Sequence, residues 1–174
     1  RPAAAELAVV VTSKPIHALV AGVMDGIGTP RLIVAGSQSP HTYSLKPSDT
    51  AALHRASLVF RVSEAIEPFT RRLFDSLPGS VRRVSLAGSP GIELLTRRRG
   101  PAFEQAAHAG HPQPAAEATS DTAGADGHVW LDPANARAMV GTIEKVLAEK
   151  APDKAAAFAA NAKAVVAGID ALDR

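Results

Sequence analysis

A chain of 174 residues with 46% hydrophobic and 21% charged side chains can bury a sizeable core, and its length suits one globular domain with room for an appended piece. It contains no cysteine, which excludes disulfides and thiolate metal sites within these residues and leaves histidine, carboxylate and water as the good metal ligands; a cysteine-linked lipid anchor is not expected. The net charge of +2 hides two unlike halves: residues 1–99 carry 13 basic and 7 acidic side chains, residues 100–174 carry 6 and 10.

Leu7-Ala8-Val9-Val10-Val11-Thr12 is a continuous apolar run, the pattern of a parallel strand buried on both faces. Pro15 then opens a helix carrying Ile16, Leu19, Val20 and Val23 and stopped by Gly26 and Gly28. Arg31-Leu32-Ile33-Val34 predicts a second strand, followed by a polar loop from Gly36 to Ser44 and a helix opened by Pro47-Ser48-Asp49 with Leu53 on its apolar side. Ser57 to Val62 predicts a third strand. Ile66, Phe69, Leu73 and Leu77 then recur at helical spacing, which predicts a helix over Ile66 to Leu77 ended by Pro78-Gly79, before a fourth strand from Val81 to Leu86. This alternation predicts an α/β fold, a four-stranded, mostly parallel sheet flanked by helices on both faces. Ligands gather beyond the carboxyl ends of such strands, which puts His41, in the loop after the second strand, at the expected edge.

Residues 97–127 break the pattern, being rich in Ala, Gly, Pro and polar residues; a segment of this length is either functional or disordered. It holds His108-Ala109-Gly110-His111, two imidazoles close enough to share an ion loosely. Gly127-His128-Val129-Trp130-Leu131-Asp132-Pro133-Ala134-Asn135 then drives a histidine out of a loop into a helix start. Asp132 suits the N-cap, Pro133 suits the first helical position, and Gly127 is expected to let the chain turn freely so that the His128 ring faces a cleft. A neutral imidazole there is a natural zinc or copper ligand.

The helix after Asp132 carries Met139, Val140, Ile143, Val146 and Leu147 on one side, and Pro152-Asp153 separates it from an alanine-rich helix with Phe158, Val165, Val166, Ile169 and Leu172. The expected division is an α/β lobe over 1–151, with a flexible loop at about 97–127, and the start of a connecting helix over 152–174. No apolar run is read as approaching the span of a bilayer, so no membrane insertion is expected, and no signal-peptide core precedes Ala3, so a targeting segment is expected to have been removed or never to have existed. Arg71-Arg72, Arg82-Arg83 and Arg97-Arg98-Arg99 are short and scattered with only 4% aromatic residues, so solvated surface or a protein-docking face is expected in place of a nucleic-acid site.

Taken together, Ser13-Lys14-Pro15-Ile16-His17, Ser39-Pro40-His41-Thr42-Tyr43-Ser44-Leu45-Lys46-Pro47-Ser48-Asp49, Leu58-Val59-Phe60, Glu67-Pro68-Phe69 and His128-Val129-Trp130-Leu131-Asp132-Pro133 resemble, in order, the amino-terminal lobe of periplasmic zinc-binding proteins, the solute receptors of ATP-binding-cassette zinc importers. The resemblance runs from about residue 7 to the end. It implies one lobe of a two-lobed receptor, a metal site in the cleft between lobes, and a second lobe missing from this chain, with Pro152 to Arg174 as the first part of the helix that joins them. His41 and His128 match two of the family's histidine ligands; a third histidine and a carboxylate belong to the missing lobe. Pro40 stands where some zinc receptors have a glutamate, and the segment in place of the family's histidine-rich loop carries only His108 and His111, possible auxiliary contacts.

The resemblance therefore implies high-affinity capture of Zn2+ in the periplasm and delivery to a membrane permease, without catalysis. Manganese or another divalent ion is the alternative cargo, a metal-dependent hydrolase using His41 and His128 the alternative function, and self-association of the lobe an additional possibility. Asp49 and Asp132 are expected to cap helices, with offsetting a cation beside helix amino ends as the alternative. Tyr43 either hydrogen-bonds a ligand or packs. His17 and His54 are expected to be non-ligating, and Glu64 and Glu67 to be solvated charges, with hydrogen bonding to an imidazole as the alternative.

Overall fold

The computed structural model describes residues 7–96 and 125–174. Strands β1 (Val9–Val11), β2 (Arg31–Leu32), β3 (Leu58–Arg61) and β4 (Arg82–Ser85) form one sheet in the order β2-β1-β3-β4, and every pairing in it is parallel. β2 is shorter than the expected Arg31–Val34, yet the N–H groups of Ile33 and Val34 still donate to Val11 O at 2.9 Å and Thr12 O at 3.0 Å, so the ladder continues past its formal end.

Strand periodicity explains how both faces are covered. Successive side chains point to opposite faces: Val9, Val11, Leu58 and Phe60 enter one core, Val10 and Val59 the other. The first core is closed by α1 (Lys14–Val23), α4 (Pro133–Lys150) and α5 (Ala155–Leu172), through residues such as Ile16, Val20, Met139, Ile143 and Phe158. The second is closed by α2 (Pro47–Arg55) and α3 (Thr70–Ser76), through Leu53, Leu73 and Phe74. A strand buried on both sides has no polar face to alternate, which is why β1 is apolar without interruption.

α3 begins at Thr70 and not at Ile66. Glu67 precedes a proline, which disfavours helical backbone, and its side chain turns inward so that Oε2 accepts the N–H groups of Val62 at 2.8 Å and Ser63 at 3.2 Å. Those bonds hold residues 64–66 in turns.

α5 is tied to the rest of the fold from Phe158 to Val165. Phe158 is wholly buried, Asn161 Nδ2 donates to the α1-terminal carbonyls of Val23 at 3.0 Å and Asp25 at 2.8 Å, and Gly22 leaves the space that Val165 occupies. Arg137 fastens its far end to α4 by pairing with Asp170 and Asp173, each at 2.6 Å. The 21-residue stretch Pro152–Leu172 nevertheless contains an 18-residue segment with a mean hydropathy of 1.4, 11% of it buried, so by length and composition it is long and apolar enough to cross a membrane. This corrects the expectation that no apolar run approaches that span: alanine methyls raise the mean without forming a block of large aliphatic side chains.

Three of these paired arginines are used within the fold: Arg71 pairs with Glu64, Arg82 with Glu149, and Arg83 donates to Leu77 O. Arg97-Arg98-Arg99 lies outside the described residues.

Candidate metal centre

His41 sits in the loop after β2, on a short turn in which its N–H donates to Ser39 Oγ at 3.3 Å. Two residues on, Tyr43 is buried, its ring edge-on to Phe69 and its hydroxyl donating to Asp49 Oδ2 at 2.7 Å. That oxygen also accepts the N–H of Lys46 at 3.0 Å, so Asp49 closes the amino end of α2 and anchors the loop. Burial, reinforced by the Asp49 carboxylate, pushes the Tyr43 phenol up to about 12. Of the two roles open to Tyr43, packing holds.

His128 opens a short 3-10 turn, Val129–Leu131, that leads into α4; Asp132 caps that helix by accepting the N–H of Ala134 at 2.7 Å. Buried Val129 roots the turn, while the His128 ring stays accessible, edge-on to Trp130 with centroids 5.2 Å apart. Asp126 Oδ1 accepts the His128 N–H at 3.0 Å and lies 2.7 Å from ring Nδ1. Gly127 is needed for a reason other than the expected free turning. Its φ is not positive; a Cβ there would meet Ile66 Cγ1 at 2.7 Å and Cδ1 at 2.8 Å, so the backbone beside His128 is pressed onto the core. Gly127→Ala is expected to destabilise the fold by about 1–3 kcal/mol through overpacking, and Ile66→Ala in the same chain to recover part of that loss. Denaturant unfolding of the singles and the double checks this, with additive losses as the contrary result.

Separated by 87 positions in sequence, the rings of His41 and His128 lie with centroids 5.5 Å apart, tilted by 52°. They border a cavity of about 310 Å³ with Ser13, Lys14 and Pro15 from the end of β1, and with Gln38 and Pro40. An imidazole nitrogen binds zinc at about 2.0–2.1 Å, so two rings on one tetrahedral ion have centroids roughly 5 Å apart. The observed separation is about half an ångström longer than that value.

Among the described residues no group of three or more His, Asp or Glu side chains is placed to hold a metal, so the pair supplies two donors and no more. His17 Nε2 is 3.0 Å from Pro30 O, His54 is exposed on α2, and His108 and His111 lie outside the described residues. Glu67, expected to be solvated, is instead fully buried, with its carboxyl bonded to Thr12 and to the Val62 and Ser63 backbone. Its carboxyl is pushed above the usual range chiefly by burial, against its hydrogen bonds with the Thr12 hydroxyl and with the Val62 and Ser63 N–H groups; Ser13 Oγ lies near enough to favour the charged form without standard hydrogen-bond geometry. Asp126 was not anticipated, although an acid two residues before a histidine, across a glycine, was there to be read.

The chain matches the family described as "Zinc-uptake complex component A periplasmic" over residues 9–174. It is 36% identical over 186 aligned positions to the high-affinity zinc uptake system protein ZnuA of Brucella abortus (strain 2308), covering 95% of this chain and 56% of that protein. The chain thus spans about half the length of the curated relatives it matches. The Zn(II)-bound ZnuA-like domain of Streptococcus pneumoniae AdcA superposes with a TM-score of 0.72 at 22% identity over 97% of this chain and 53% of that one. A Mn-bound periplasmic metal binding protein from Candidatus Liberibacter asiaticus gives 0.70 at 18% identity, over 92% and 52%. These two superpositions bear on the fold.

Proposed function

We propose, from the premise that this chain belongs to the periplasmic component A family of zinc-uptake complexes, that it is one lobe of a zinc receptor that captures Zn2+ in the periplasm and yields it to the membrane permease of an ABC importer. The family is one of solute-binding receptors, and the reading for this chain is binding and release with no chemical step. The observation that carries it is the 5.5 Å approach of the His41 and His128 rings at the carboxyl edge of the sheet. Two imidazoles fill about half of a tetrahedral zinc shell. The remaining donors come, in this reading, from a second lobe joined through residues 152–174, with residues 1–151 as the lobe proper, or from a second copy of the chain. His108 and His111 are proposed auxiliary contacts.

Manganese is the second reading, supported by the similarity to a receptor described as Mn-bound. Imidazole donors favour zinc over manganese, in line with the general order of divalent affinities. Calorimetric titration of the chain is expected to show zinc bound more tightly than manganese, with zinc weaker than in a receptor supplying all four ligands. Tighter binding of manganese would exchange the two readings, and absence of binding by either ion would overturn both.

A further inference from the structure

Asp126 is held from both sides. Its N–H donates to Leu95 O at 2.7 Å, next to the isolated bridge between Thr96 and Ala125, and the following residue, Gly127, is packed against Ile66. From that fixed position one carboxylate oxygen faces two nitrogens of the same histidine, the backbone N–H at 3.0 Å and ring Nδ1 at 2.7 Å. A carboxylate can only accept, so the short contact to the ring requires the hydrogen on Nδ1. In a neutral imidazole the lone pair is then on Nε2.

We infer that Asp126 is a positioning residue for the metal site: it selects the tautomer and ring orientation of His128 that present Nε2 as the donor to a divalent cation shared with His41. The inference rests on the receptor reading above. A metal-ligating imidazole whose other N–H is bound to a carboxylate is fixed in direction and made more basic, and losing such a partner costs roughly 10–100-fold in metal affinity. The side chains of Asp126 and His128 are about half exposed, so the bond is not imposed by burial; the doubly anchored backbone on either side of the carboxylate places it.

The test uses the chain with 15N-labelled histidine, in Asp126→Ala and Asp126→Asn variants. Imidazole 15N shifts of metal-free protein, recorded at a pH where the ring is neutral, are expected to show hydrogen on Nδ1 of His128 in the unaltered chain and in Asp126→Asn, whose amide oxygen still accepts. In Asp126→Ala that preference is expected to disappear and zinc affinity to fall by roughly 10–100-fold, with a smaller fall in Asp126→Asn. An unchanged tautomer in Asp126→Ala, or unaltered zinc affinity in both variants, would overturn the inference. Should Asp126→Ala fail to fold, Asp126→Asn decides alone, wild-type affinity counting against. If the unaltered chain binds no zinc, the receptor reading fails, and the metal-free spectra still show whether Asp126 sets the ring.

Discussion

His41→Ala and His128→Ala are each expected to lower the zinc affinity of this chain by at least about 100-fold, more than the loss of a group that only supports a ligand, while His54→Ala leaves it unchanged. With two donors among the described residues, removing either leaves a single imidazole, and the benefit of having both held ready on one rigid sheet edge is lost. His54 is the matched control because it is exposed on α2 and shares no wall of the cavity. The two losses are expected not to add, because each substitution destroys the same shared site. Calorimetry of the two singles and the double measures this. Zinc affinity that survives either single substitution within a few-fold would mean the ion is held elsewhere.

Glu67→Ala is expected to destabilise the fold by about 3 kcal/mol or more, whereas Glu67→Gln is tolerated. Glu67 is wholly buried where the ends of β1 and β3 meet, and truncation leaves the Val62 and Ser63 N–H groups without an acceptor; each buried unsatisfied donor costs about 1–3 kcal/mol, before any cavity is counted. Burial favours a neutral carboxyl, against hydrogen bonds that favour the charged form. Thr12 Oγ1 lies within hydrogen-bond reach of both Phe60 O and Glu67 Oε1, but one hydroxyl has one hydrogen. With the proton that burial favours placed on Oε1, Glu67 donates to Thr12, Thr12 donates to Phe60 O, and Oε2 accepts the two backbone N–H groups. The amide of glutamine reproduces the same pattern.

The pH dependence follows from the direction of the Glu67 shift. The folded state holds the proton more tightly than the unfolded chain, whose carboxyl titrates near its ordinary value of 4.5. Its contribution to stability is therefore complete below that value and is lost as the pH rises through the raised folded value. Urea unfolding across pH is expected to show Glu67→Gln gaining on the unaltered chain as the pH rises. A stability difference that is flat in pH, or that runs the other way, would mean the carboxyl is buried in its charged form.

Much of this was legible because it is written locally. The β1 run is apolar because both its faces are covered, Pro15, Pro47 and Pro133 mark helix starts, and Asp132 caps α4 from the next residue but one. His41 and His128 were singled out by the motifs that hold them, and the structure brings their rings to 5.5 Å. What escaped depends on partners distant in sequence. Gly127 is glycine because Ile66 leaves no room for a Cβ, which no property of Gly127 itself reveals. Glu67 looked solvated because acids seldom go inside; only the meeting of β1 with β3 supplies the donors that make its burial bearable. The late start of α3 has the same origin, since the Glu67 side chain bonds the backbone ahead of the helix. Asp126 was within reach, two residues from the histidine, but the contact requires the ring to turn back on its own chain.

The most direct test of the account is a crystal structure of the chain with zinc, with the ion placed by its anomalous scattering. One zinc is expected, at about 2.0–2.1 Å from Nε2 of His128 and at the same distance from a ring nitrogen of His41. Zinc bound to one of these rings alone, or to neither, would contradict it.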